Sequence, residues 1–416
     1  MVASEKNIVI LGGSYGGVST AHSALKHIIP QLPDKNTYQV VLVSASSQVM
    51  CRPACPRALI SDDMFPQDRL FVSIQKSFEQ YPKPSFRFLH GTATELDHTN
   101  RAVSVSIAGG NSTEKISYCA LVIATGASTV SPLHGFTSDF EFLRASWATF
   151  RRGLSSAKSI VVAGGGPAGV ETAGELGEYL NGRAGILSAK LDNPKVAITV
   201  VNAGKEILPV LRPALAKKAE DLLAKVGVTV INNVRVESVS PQGAGVDSSL
   251  LATKTSVTLS NGETLEADLY IPATGTTPNT GFIDKSLLAV DGRVDTNATT
   301  LRVDKAGERV YAVGDVGSYA RPAIHAILEA VPVVTGNLKR DLLLAAGKEE
   351  SSVPKEREFK EDTRESQLVP IGKSKGVGAA MGYQLPSWAV WMIKGRDYWL
   401  WTTGDLWSGK HWAKES

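Results

Sequence analysis

The chain has little cysteine: Cys51, Cys55 and Cys119 are the only three in 416 residues. That is too few for a disulfide framework and points to a reducing, cytoplasmic compartment. No apolar run approaches the roughly 18 residues that a membrane-spanning helix needs. The N-terminal MVASEKN lacks the charged-then-apolar profile of a secretion signal, and Val2 stands where myristoylation requires glycine. Charge of one sign is also missing. A net charge of +3 makes no case for nucleic-acid binding, and no Cys/His spacing suits a metal ion. What remains is an ordinary globular composition, 43% hydrophobic and 20% charged, long enough for two or three domains with cores of their own.

The most informative stretch is SIVVAGGGPAGVETAGE, Ser159 to Glu175. Ile160 to Ala163 form the apolar run of a buried parallel strand. Gly164, Gly166 and Gly169 follow in G-x-G-x-x-G spacing, and a helical pattern with Val170, Ala173 and Leu176 comes next. Gly164 permits the turn out of the strand, Gly166 lets a pyrophosphate approach the backbone, and Gly169 lets the helix pack close to the sheet. The helix N-terminus offers free N–H groups to the phosphates. A lone motif of this kind is weak, but this one sits between a strand and a helix, where the mechanism needs it.

The pattern occurs twice. Asn7 to Ala21 (NIVILGGSYGGVSTA) aligns without a gap on Ser159 to Ala173, with Gly12 on Gly164 and Gly17 on Gly169. Both units close on Ala-Thr-Gly, at Ala124 to Gly126 and at Ala273 to Gly275. Two dinucleotide units in one chain suit electron transfer from one cofactor to another. The first unit departs from the pattern in two places. Ser14 replaces the middle glycine, and the strand Tyr38 to Val43 ends on Ser44, where an acid for the ribose hydroxyls is usual. In the second unit the strand Val196 to Val201 ends on Asn202, with Lys205 close behind. Without an acid to repel a 2′-phosphate, NADPH stays open beside NADH; Lys205 is otherwise a solvated lysine.

Other segments have two readings. Cys51-Arg-Pro-Ala-Cys55 is either a redox pair or two small buried residues, and Pro53 and Pro56 oppose a regular helix there. Glu171, the second residue after the last loop glycine, is either a site residue or a complement to the helix dipole alone. Short strands are expected at Phe86 to Leu89 and Ala102 to Ile107, and a buried strand at Tyr118 to Thr125. A helix over Ala214 to Val226 should stop at Gly227. Asn261-Gly262, between Thr253 to Leu259 and Thr264 to Leu269, signals a hairpin. Val310 to Asp315 reads as a strand ending in Gly-Asp, whose carboxylate can hold a ribose or polyol, before a helix over about Pro322 to Leu344. Lys348 to Ser366 is charged and apolar-poor, an exposed connection. Beyond it stand six of the seven tryptophans, interleaved with Lys373, Lys375, Lys394, Arg396, Lys410 and Lys414. They suit either a membrane interface or a cap packed on the rest of the chain.

Together these residues resemble the two-dinucleotide flavoprotein reductases. The resemblance is closest to the ferroptosis-suppressor and apoptosis-inducing-factor-like (AMID-type) branch of the FAD-dependent pyridine nucleotide-disulfide oxidoreductases, related to type II NADH dehydrogenases. The parts that carry it are Gly164 to Glu171 (GGGPAGVE), Ala273 to Asn279 (ATGTTPN), Val313-Gly-Asp315 and Ile371 to Gly378 (IGKSKGVG). It implies an α/β fold with two Rossmann-like domains and a small C-terminal region. FAD binding is expected over 1–130 and 279–347, NAD(P)H binding over 131–278, a linker over 348–366 and a Trp-rich region over 367–416. By this likeness Gly12, Gly17 and Asp315 belong to FAD, and Gly164, Gly166, Gly169 and Glu171 to NADH or NADPH. The full candidate cofactor set adds Gly13, Ser14, Tyr15, Gly16, Ser44, Arg52, Thr125, Gly126, Asn202 and Gly275. Relatives carry a lysine after the residue matching Pro322; here Ala323-Ile324-His325 stand, so His325 joins Glu171 as a candidate catalytic residue.

The implied activity is hydride transfer from NAD(P)H through FAD to a small acceptor, a quinone above all, with no metal and no nucleic acid. The implied location is cytoplasmic or peripheral on a membrane, lipid droplet or mitochondrial outer surface, through the C-terminal region. Three alternatives remain: a thiol-disulfide reductase using Cys51 and Cys55, a redox-sensing NADH-binding flavoprotein with poor turnover, and a tailoring oxidoreductase of a small-molecule pathway.

Overall fold

The computed structural model describes residues 6–415. Its larger sheet has seven strands, in the order Val310–Ala312, Ala120–Ile123, Lys6–Leu11, Tyr38–Ser44, Phe86–Asp97, Ala102–Ile107 and Thr113–Ser117. The first five run parallel and the last two turn antiparallel. Ile8, Val9, Ile10 and Leu11 are all buried, because the central strand of a parallel sheet is covered on both faces. A second, wholly parallel sheet runs Val228–Ile231, Ala197–Val201, Ser159–Ala163 and Leu269–Pro272. The fold is therefore α/β with two Rossmann-like units. The chain leaves the first unit at Ala127–Thr129 and returns at Thr276–Pro278, and these two short strands pair antiparallel with each other.

Most elements lie where the local pattern puts them. The helix Pro213–Ala224 is followed by Gly227 at φ +75°, and Thr255–Leu259 pairs with Thr264–Ala267 around Gly262 at φ +86°. One strand differs. Phe86 does not stop at Leu89 but runs to Asp97, changing partners from the parallel Tyr38–Ser44 to the antiparallel Ala102–Ile107. Gly91 permits the change, since a Cβ there would lie 2.5 Å from the Ser106 carbonyl oxygen. Conversely, the strand expected over Tyr118 to Thr125 is only Ala120–Ile123.

The charged segment 348–366 holds one short helical turn, Glu350–Ser352, and is pinned rather than free. Its glutamates meet arginines on both units: Glu350 with Arg340, Glu356 with Arg302, Glu361 with Arg321 and Glu365 with Arg212. Phe359 is buried against the edge of Tyr319.

The C-terminal region starts as a three-stranded sheet, Gln367–Ile371, Lys375–Ala380 and Tyr383–Gln384, packed on the helix Pro167–Asn181 of the second unit. It continues through Ser387–Val390 and Trp391–Gly395 to a second helix, Leu400–Trp407, which packs on Tyr15–Ser23 of the first unit. The tail thus touches the helix behind each glycine loop. Among the described residues no helix is long and apolar enough to cross a membrane.

Candidate active site

The two glycine loops have matching geometry. Gly12 sits at φ +117°, and a Cβ there would lie 2.1 Å from the Ala124 carbonyl oxygen; Gly164 sits at φ +125°, 2.3 Å from that of Ala273. Each first glycine therefore lies directly against the Ala-Thr-Gly that closes its own unit. Gly17 and Gly169 pack their helices down on the loops, with would-be Cβ atoms 1.7 Å and 2.0 Å from the carbonyl oxygens of Gly12 and Gly164. Gly166 instead faces open space, with nothing within 4 Å. Behind it the helix from Pro167 presents first-turn N–H groups that the helix itself cannot pair. In the first unit Ser14 occupies the N-cap, and its side chain makes no capping hydrogen bond. Behind it Tyr15, Gly16 and Gly17 begin the helix, and Gly16 rests against Val313. These cradles fit the phosphates of two dinucleotides.

The residues that replace the usual strand-end acids are also alike. Ser44 lies against Gly13, its hydroxyl donating to the Ser46 carbonyl (2.8 Å) and accepting from the Ser46 N–H. Asn202 lies against Gly165, donating to the Gly204 carbonyl (3.0 Å) and to Asn232 Oδ1 (2.7 Å). Both side chains close their own turns.

Asn279, just past the return strand Thr276–Pro278, closes on the first unit's Ala-Thr-Gly end. Its side-chain amide donates to the Thr125 carbonyl (2.8 Å), its backbone N–H donates to Gly126, and its own carbonyl accepts from Thr125 Oγ1 (2.8 Å). Gly126 at φ +64° and Gly275 at φ +111° both face open space. Arg52 donates to the carbonyls of Ala127 (2.8 Å) and His134. It also stands close enough to Asp315 to act on it: burial pushes that carboxyl up, and Arg52 and Arg293 oppose the rise.

Glu171 is 3% exposed, and its carboxylate accepts from Lys394 Nζ at 2.5 Å. Lys394 also donates to the Leu368 carbonyl (3.0 Å). Burial pushes the Glu171 carboxyl up to about 7 against the opposing charge of Lys394. One helical turn on, Glu175 takes both arms of Arg57 (2.9 and 2.7 Å) and the hydroxyl of Tyr398 (3.0 Å). The dipole reading of Glu171 thus gives way to a buried ion pair with the tail. His325 is exposed on the first turn of Ile324–Ala345.

Lys394, Tyr398 and Arg57 are what the sequence did not single out as site residues. Lys394 had a faint signal, a lysine directly after the apolar Val390 to Ile393. Cys51 and Cys55 are free and buried, with thiols pushed up by burial to about 11 and about 12; this matches the reading as small buried residues. The tryptophans of the tail differ in burial. Trp407 and Trp412 are buried at 1% and 4%, while Trp388, Trp391 and Trp401 are exposed at 65%, 38% and 61%.

Residues 6–330 match the profile of the pyridine nucleotide-disulphide oxidoreductases. The chain belongs to this family. It is 64% identical over 413 residues to oxidoreductase phnG of Penicillium herquei, covering 99% of this chain and 98% of that one. It is 24% identical to ferroptosis suppressor protein 1 of Homo sapiens, covering 95% and 94%. Among solved structures, that of NDH2 from Plasmodium falciparum in complex with NADH superposes with a TM-score of 0.62 at 16% identity, over 98% of this chain and 99% of that one. The protein is an oxidoreductase, and FAD and NAD(P)H are the cofactors its two cradles serve.

Proposed function

We propose that the protein is an FAD-dependent NAD(P)H oxidoreductase that delivers two electrons to a quinone-type acceptor. The observation that supports this reading is the presence in one chain of two glycine cradles of matching geometry, each lying against the Ala-Thr-Gly that closes its own unit. The chemistry supplied by the bound pair is hydride acceptance at a flavin and two-electron release. The chain's own share is to hold the two nucleotides and to manage protons. The overall change, NAD(P)H and a proton plus quinone giving NAD(P)⁺ and hydroquinone, needs one proton beyond the hydride. On the helix behind the second loop Glu171 Oε1 accepts from Lys394 Nζ, and this pair can pass one proton to an acceptor oxygen. The glycine cradles fix the geometry, and no nucleophile is required.

The exposed Trp388, Trp391 and Trp401, with Lys410 and Arg396 nearby in sequence, support placement of the tail on a membrane surface, where a lipid-soluble acceptor is at hand. The acceptor is tested anaerobically, by adding a short-chain quinone to protein reduced with NADH or NADPH. One quinone consumed per nucleotide is expected. Reduced protein that persists with every quinone tried would transfer the reading to an NADH-binding redox sensor.

A further inference from the structure

Cys51 does not face solvent or another cysteine's disulfide; it sits inside a chain of hydrogen bonds that crosses the molecule. The Tyr15 hydroxyl, at the start of the first loop's helix, donates to Cys51 Sγ at 3.6 Å. Cys51 Sγ donates in turn to the Tyr398 carbonyl at 3.2 Å. Tyr398 and Trp399 are consecutive non-glycine residues in the left-handed region, at φ +54° and +66°. Such backbone persists only where its surroundings over-determine it. Here the restraints are clear. The Tyr398 N–H donates to the Lys394 carbonyl (2.6 Å), its hydroxyl to Glu175, and the Arg57 guanidinium lies 4.8 Å over its ring while donating to the Arg396 carbonyl. Lys394, four residues before the corner, has its ammonium on Glu171 and 5.0 Å from the Trp399 ring.

We propose that Cys51 is a positioning residue for the reaction: its thiol holds the Tyr398 carbonyl, locks the left-handed Tyr398–Trp399 corner, and so seats Lys394 on Glu171. The role needs a donor that also accepts, which a protonated thiol supplies. The thiol is protonated at neutral pH, and burial pushes it up further, to about 11. Oxidation and nucleophilic attack play no part. The inference rests on the proposed function only in its effect on turnover; the locking of the corner is independent of it.

The test compares Cys51→Ser, whose hydroxyl can accept from Tyr15 and donate to Tyr398, with Cys51→Ala, which can do neither. Two readouts are taken on the flavin-loaded protein: the rate of tryptic cleavage after the buried Lys394, followed by mass spectrometry, and KM for a short-chain quinone beside the rate of flavin reduction by NADH. Cys51→Ala is expected to speed cleavage and raise the quinone KM by about fivefold, the effect of one lost neutral hydrogen bond. Cys51→Ser should match the parent in both readouts. Parent-like cleavage and KM in Cys51→Ala would overturn the proposal. So would an equal loss of turnover in both variants with cleavage unchanged, because that result assigns chemistry to the thiol itself. If the parent reduces no quinone, the functional reading falls, and cleavage alone still decides the locking of the corner.

Discussion

Lys394 reaches across the molecule to place its ammonium 2.5 Å from the carboxylate of Glu171, 223 positions earlier in the chain. Both groups are almost wholly shielded from water. The pair joins the tail to the helix that follows the second glycine loop, so the tail is tied by a buried contact to the candidate site.

Breaking a buried pair from one side leaves a charge without its partner, at a typical cost of about 3–5 kcal/mol. Lys394→Met and Glu171→Gln should each lower the midpoint of thermal unfolding. The double variant should be less destabilised than the sum of the two singles. Additive losses in this double-mutant cycle would mean that the two groups are not energetically coupled.

The tail is held at its far end by the first loop's helix. His22 Nε2–H donates to the Trp407 carbonyl (2.9 Å) and its Nδ1 accepts from the Tyr81 hydroxyl (2.8 Å); Lys26 donates to Gly409, and His27 donates to Trp412 (2.8 Å). Burial lowers the His22 pKa from 6.5 to about 4. Between those values the unfolded chain binds a proton that the folded one does not, so this group's contribution is lost as pH falls through that window. Unfolding midpoints measured from pH 7 to pH 4 should fall less steeply in His22→Gln than in the parent. Equal slopes would show that His22 does not contribute.

How much of this was legible beforehand depends on distance along the chain. The glycine loops, the hairpin at Asn261-Gly262 and the cap at Gly227 are local patterns, and the structure has each of them. The pairing of Glu171 with Lys394 and of Glu175 with Arg57, 118 positions apart, depends on how the two units and the tail meet. No periodicity records that. The continuation of the Phe86 strand through Gly91 to Asp97 is of the same kind, since it depends on the partner strand Ala102–Ile107.

Removing the whole tail is a poor test of membrane binding, because Lys394, Tyr398 and Trp407 are built into the body of the protein. Replacing Trp388, Trp391 and Trp401 by serine leaves those contacts in place. The triple variant should retain its flavin and lose co-sedimentation with anionic vesicles. Undiminished co-sedimentation would remove the exposed tryptophans from any membrane contact.

Gly164 and Gly166 should respond differently to alanine. At Gly164 the added methyl meets the Ala273 carbonyl in a left-handed backbone, so folding itself should suffer; at Gly166 the space is open. Gly166→Ala should therefore fold with parental thermal stability and show weakened binding of NADH and NADPH in a fluorescence titration. A Gly166→Ala protein with parental nucleotide affinity would place the pyrophosphate elsewhere.

The central claim is that electrons pass from a nucleotide on the second loop to a flavin on the first. The most direct measurement is the visible absorbance of the purified protein during anaerobic addition of NADH, for the parent and for Gly166→Ala. The account predicts a flavin band in both, bleached promptly in the parent and only at much higher NADH in the variant. A parent flavin band that NADH and NADPH leave untouched would contradict it.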